Sequence, residues 1–126
     1  MYSNTIYKGV YNMKINKELL KGSTTILILS LLNKKDMYGY EMIKEIEIRS
    51  KNVFSFKEGT LYPILHTLEN EDFIESYWDS TQGARKRKYY KITSTGKKLL
   101  SEKEMEWKLF SSTVNNLLWE DELCLQ

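Results

Sequence analysis

The chain has 126 residues, room for one domain and an appended helix, and its 41% apolar and 13% aromatic content can fill one compact core. With 19 Lys and Arg against 17 Asp and Glu the formal charge is only +2, so bulk charge does not announce nucleic acid and any such role must lie in where the charges sit. A single cysteine, Cys124, excludes an internal disulfide, no charged-then-apolar leader opens the chain, and the longest apolar stretch, Ile26 to Leu32, is broken by Ser30 and far short of a membrane span, which together point to the cytoplasm.

Residues 1–16 have no clear period and read as an N-terminal extension, either a flexible arm or a segment preceding an alternative start at Met13. From Lys17 to Asn33 the spacing predicts one helix, apolar nearly all round in its second half and therefore central. A second helix follows Gly39, with Met42, Ile43 and Ile46 on its inner side. Val53-Phe54-Ser55-Phe56 then alternates as a bridging strand or loop.

The third helix carries Leu61, Ile64, Leu65 and Leu68 at inward spacing. Proline lacks an N–H and suits the first helical turn, so Pro63 predicts a start near Gly59 or Thr60. That places Thr60, Tyr62 and Pro63 at an exposed N-terminal end, with Lys57 just before it and His66 one turn on.

The period next changes to two. Ile74 to Trp78 and Arg87 to Ile92 alternate around the turn-forming 79–84 stretch, which predicts a two-stranded hairpin with Gly83 in its turn. Thr93 or Ser94 can cap a last helix. In it Leu100, Trp107, Phe110, Val114 and Leu117 are spaced 7, 3, 4 and 3, a heptad seam with a polar break at Lys103. Such a seam needs a partner, and a second copy of the chain supplies one.

Helices, hairpin and terminal helix in this order predict a mainly α (α+β) fold. It is a winged helix-turn-helix over 17–93, with a C-terminal dimerisation helix and tail over 94–126. In that architecture the third helix enters the DNA major groove and the hairpin, or wing, reaches the neighbouring backbone or minor groove. Arg85, Lys86, Arg87 and Lys88 concentrate positive charge on the wing, whereas Glu69 to Asp72 and Glu120 to Glu122 are acidic, so a nearly neutral chain carries one basic edge. The candidate DNA contacts are Tyr40, Lys57, Thr60, Tyr62, Pro63, His66 and Arg85 to Lys88, with Tyr62 either touching DNA or packing beneath the wing.

His66, the only histidine, has no Cys, Asp or second His at ligand spacing, so neither a metal nor another cofactor is expected. No nucleophile–base pair or phosphate-binding glycine loop suggests an enzyme. Acidic neighbours disfavour a reactive Cys124. The rival to a DNA-binding regulator is a winged-helix module that binds another protein through its wing or last helix.

The segments Met37-Tyr38-Gly39-Tyr40-Glu41-Met42, Lys57 to Leu65, and Arg87-Lys88-Tyr89-Tyr90-Lys91-Ile92-Thr93 resemble the PadR family of bacterial transcriptional regulators. The likeness runs from about Lys17 to Trp107 and is closest to the shorter members with a single C-terminal helix. It implies a homodimer, usually a repressor, on an inverted-repeat operator. It also implies a small aromatic or drug-like effector held between subunits at a tryptophan of the last helix. Trp107 falls at that position, and Leu19 and Ile26 fall where the same pocket is lined, whereas its polar partners have no clear match.

Overall fold

The computed structural model describes residues 15–80 and 85–124. Residues 1–14, the 81–84 segment holding Gly83, and the side chains of Asp121, Glu122 and Cys124 lie outside the described residues. With them lie the N-terminal arm, the turn glycine and the acidic tail expected from the sequence.

In chain order the elements are α1 (Lys17–Lys21), α2 (Thr24–Lys34), β1 (Met37–Tyr38), α3 (Gly39–Arg49), α4 (Glu58–Asn70), β2 (Ile74–Asp79), β3 (Arg87–Ile92) and α5 (Ser94–Cys124). The single helix expected from Lys17 is thus two. The Asn16 side chain accepts from the Glu18 N–H at 2.8 Å and caps α1, which stops at Gly22. Gly22, Ser23, Thr24 and Thr25 explain the break: glycine costs a helix interior ~1 kcal/mol relative to alanine, and hydroxyls compete for backbone groups. The buried Thr24 hydroxyl does so, donating to the Lys21 carbonyl at 3.2 Å.

α2 is the central helix. Ile28, Leu29, Leu31 and Leu32 are buried, and the helix packs against α5, β3 and α3. Met42, Ile43 and Ile46 of α3 and Leu61, Leu65 and Leu68 of α4 close the same core, each burial contributing ~1.5–3 kcal/mol. The expected inward faces of α3 and α4 are therefore present, with Ile64 half-buried at the core's edge. Residues 53–56 form a loop, and its Phe56 is buried.

The sheet has three antiparallel strands in the order β1-β3-β2, one more than the expected hairpin. Met37 pairs with Tyr90 and Tyr38 with Tyr89. Across the hairpin Ile74 faces Ile92 and Trp78 faces Lys88. Inward parity buries Met37, Ile74, Tyr90 and Ile92, while outward parity stacks Tyr77 on Tyr89 at 5.7 Å and sets Tyr38 edge-on to Tyr89 at 5.5 Å.

α4 ends in a Schellman turn: Phe73 N–H donates to the Leu68 carbonyl and Asp72 N–H to that of Glu69, each at 3.0 Å, with Asp72 at φ 63. Thr93, of the two possible caps, starts α5. Its hydroxyl accepts from Gly96 N–H at 3.0 Å and donates to the Asp72 carbonyl at 2.7 Å.

Leu100 corrects the expected seam. It is 3% exposed and belongs to the chain's own core, because α5 packs on α2. Beyond it Trp107, Phe110 and Leu117 are exposed and Val114 half-buried, but so are Met105, Leu109, Leu118 and Trp119 exposed, and the helix is kinked at Trp119. The uncovered apolar surface of α5 is wider than a heptad stripe.

Candidate nucleic-acid interface

A cleft of about 590 Å³ lies between the wing and the N-terminal turns of α3 and α4. Tyr40 and Gly39 line it from α3, Glu58 and Tyr62 from α4, Tyr38 from β1, and Trp78 with Arg85, Lys86, Arg87, Lys88 and Tyr90 from the wing. Six residues singled out in the sequence thus share one surface: Tyr40, Tyr62 and the four wing cations.

Lys57, Thr60, Pro63 and His66 are exposed on α4 or at its N-cap but stand outside the cleft. Gly59, Thr67 and Asn70 share their exposed face. The His66 ring lies 3.3 Å from the Asn70 amide, and Thr67 donates to the Pro63 carbonyl at 3.1 Å. Among the described residues no group of three His, Cys, Asp or Glu side chains could hold a metal ion.

α4 begins at Glu58, earlier than expected, so Pro63 is inside the helix and past its first turn. The N–H it lacks would have served the Gly59 carbonyl, and Gly59 is exposed to water, which lowers the cost of leaving that carbonyl without an intrahelical donor. Lys57 caps α4 through its backbone only, its carbonyl accepting from Thr60 and Leu61 N–H at 3.0 Å. The first amides of α4 therefore stay open at the positive end of the helix dipole. Glu58 answers that dipole and, among the described residues, is the one acidic side chain lining the cleft.

The wing cations differ in their surroundings. Arg87 lies over the Tyr38 ring with its guanidinium carbon 4.4 Å from the centroid. Lys88 has its ammonium 5.6 Å from the Tyr90 centroid and 3.8 Å from Glu69 of α4. The same Glu69 carboxylate accepts a short hydrogen bond from Ser76 of β2. Burial, with Glu69 and Tyr62 nearby, pushes the Tyr90 phenol above its usual range.

Five cleft residues were not among the contacts expected from sequence: Tyr38, Gly39, Glu58, Trp78 and Tyr90. The signal for Trp78 was its inward parity with Ile74, carried one residue pair beyond the core; Tyr38 had no periodic signal, only its place in the PadR-like 37–42 segment, since β1 exists only through its pairing with β3.

A second groove, of about 640 Å³, runs between α1, α2 and α5. Leu19, Ile26, Phe54, Trp107 and Phe110 line it, and the Trp107 and Phe110 rings are 6.0 Å apart. It brings Leu19, Ile26 and Trp107 onto one surface.

Three helices closed by an antiparallel wing, with the long α5 beyond it, define a winged helix-turn-helix protein. Residues 28–102 match the model of the transcriptional regulator PadR-like family. The chain belongs to that family: it is a transcriptional regulator, not an enzyme.

Solved structures agree. A transcriptional regulator from Clostridium thermocellum superposes with TM-score 0.74 at 36% identity, covering 79% of this chain and 97% of its own. A PadR family transcription regulator from Clostridium difficile gives 0.67 at 40% identity, covering 76% and 98%. By sequence, an uncharacterized protein from Lysinibacillus sphaericus is 43% identical over 93 residues, 74% of this chain and 85% of that protein. No helix among the described residues is long and apolar enough to cross a membrane.

Proposed function

We propose that the protein is a homodimeric repressor that binds an inverted-repeat operator in duplex DNA and acts in the cytoplasm. The observation that carries this reading is the single cleft joining the N-terminal turn of α4 to Arg85, Lys86, Arg87 and Lys88. α4 enters the major groove and the wing lies on the adjacent backbone or minor groove. The wing cations neutralise phosphates and supply affinity, while the exposed Thr60, Pro63 and His66 supply register and sequence preference.

Two subunits pair through α5, covering Trp107, Phe110, Val114 and Leu117, and set two α4 helices about one DNA turn, ~34 Å, apart. The exposure of three of these four side chains supports the pairing, since an isolated subunit leaves that area in water. The groove beside Trp107, Leu19 and Ile26 supports an effector of flat aromatic or drug-like kind. Bound there, it releases the operator by favouring a subunit spacing that no longer fits, and only as far as its affinities for the two states differ.

The test is a titration with duplex DNA from the protein's own promoter region across a range of salt. Arg85, Arg87 and Lys88 changed together to alanine weaken binding to every sequence and flatten the salt dependence; an unchanged slope removes the wing from the mechanism. Phe110→Glu gives monomers in sedimentation that no longer hold a two-fold operator. No salt-sensitive binding by the wild type would favour a module that recognises another protein.

A further inference from the structure

Trp78 is a large aromatic residue of the wing that neither the core nor the pairing helix uses. It shares the parity of Ile74 and Ser76 on β2, hence the side of the sheet turned toward α4. Ile74 is buried and Ser76 reaches Glu69 of α4, but Trp78 lies past the edge of the core and is 65% exposed. Its partner across the hairpin is Lys88, and it lines the same cleft as Tyr62 and all four wing cations.

We propose that Trp78 is a direct DNA-contact residue. Its ring packs on the deoxyribose face of the strand whose phosphates the wing cations neutralise, and its indole N–H donates to a phosphate oxygen. The inference rests on the duplex-DNA reading above.

Charge complementarity selects this occupant. Arg85, Lys86, Arg87 and Lys88 line the same cleft as the indole, where the carboxylates facing them are Glu58 in the lining and Glu69 at 3.8 Å from Lys88, so cations are in excess and the partner is polyanionic. A nucleic-acid backbone alternates an anionic phosphate with an apolar sugar face, which matches an apolar ring set among cations. An apolar protein patch seated there would leave those cations desolvated and unpaired.

The test compares Trp78→Ala and Trp78→Phe with the wild-type full chain on one duplex. Because the side chain is exposed, both variants melt like the wild type. Trp78→Ala binds about tenfold more weakly at fixed salt, the loss expected when one large aromatic contact is removed. Its salt slope stays at the wild-type value because no charge is lost, and Trp78→Phe recovers most of the affinity. In 19F spectra of 5-fluorotryptophan protein, the signal missing from Trp78→Phe is the one that shifts when DNA is added.

Affinity unchanged in Trp78→Ala, or a Trp78 signal that ignores DNA, overturns the contact. A flattened salt slope in Trp78→Ala also overturns it, since the residue would then be holding the cations in place. A wild type that leaves DNA unbound at low salt removes the proposed function first and this contact with it, an outcome that differs visibly from a variant matching a binding wild type.

Discussion

The phenol of Tyr62, on α4, lies against the bare Cα of Gly39, the first residue of α3. A Cβ at Gly39 would stand 2.5 Å from the Tyr62 hydroxyl and 2.7 Å from its Cζ. The glycine is needed there for close approach, and it lets the ring sit in the cleft while remaining 42% exposed. Gly39→Ala pushes the ring aside. The obstacle is the far end of a side chain that can rotate, so unfolding shifts by less than about 1 kcal/mol, below the usual overpacking range. DNA affinity falls, and the losses from Gly39→Ala and Tyr62→Ala are less than additive because both act through one ring. Anisotropy titrations of the two single variants and the double variant measure this; full additivity would separate Gly39 from Tyr62.

Glu69 joins the end of α4 to the wing, accepting from Ser76 and holding the Lys88 ammonium at 3.8 Å. A partly exposed pair contributes little to stability, ~0–1 kcal/mol, but it occupies a cation that would otherwise meet phosphate. Glu69→Ala is therefore expected to tighten binding to non-specific duplex. The salt slope steepens by about 0.9 for each Lys88 set free, and Lys88→Ala in the same chain cancels that change. A salt titration on a long random duplex reads both.

Tyr77 donates to an Asp36 carboxylate oxygen at 2.7 Å. This bond first, then desolvation and the Asp36 charge, pushes the Tyr77 phenol up to about 12. The folded value stands above the unfolded ~10, so the stability linked to this proton is fully present below pH ~10. It is lost as the pH rises through the folded value. An absorbance titration near the phenolate band should show a late tyrosine in the wild type that moves down toward the usual range in Asp36→Asn. Identical curves would discount the bond.

Gly96 has a different neighbour. A Cβ there would fall onto the Phe73 carbonyl and within 2.8 Å of an Ile92 side-chain carbon. Backbone cannot rotate away, so Gly96→Ala is expected to destabilise by about 3 kcal/mol or more, at or beyond the upper end of overpacking. Thermal unfolding measures it, and a variant melting with the wild type would contradict the packing of α5 against the α4–β2 corner.

Much of this architecture was legible before any coordinates. The faces of α3 and α4 follow from apolar residues at helical spacing, and the two long strands from alternation. The pieces that were not legible share a cause. β1 is two residues long, too short for any period, and is a strand only because Met37 and Tyr38 find Tyr90 and Tyr89. Leu100 continues the heptad spacing of Trp107 and Phe110, but packing on α2 assigns it to the chain's own core. Trp78 reads as an ordinary strand residue until the end of the core leaves it in the cleft.

By itself the sequence determined the order and faces of the main helices, the hairpin, the basic character of the wing and the PadR resemblance. Each is carried by neighbours along the chain, where period and turn chemistry act. Only the tertiary structure decided which cations stand free and which are held, where the apolar surface of α5 begins, and which side chains meet in the cleft. Those depend on distances between segments far apart in sequence, which no local pattern encodes.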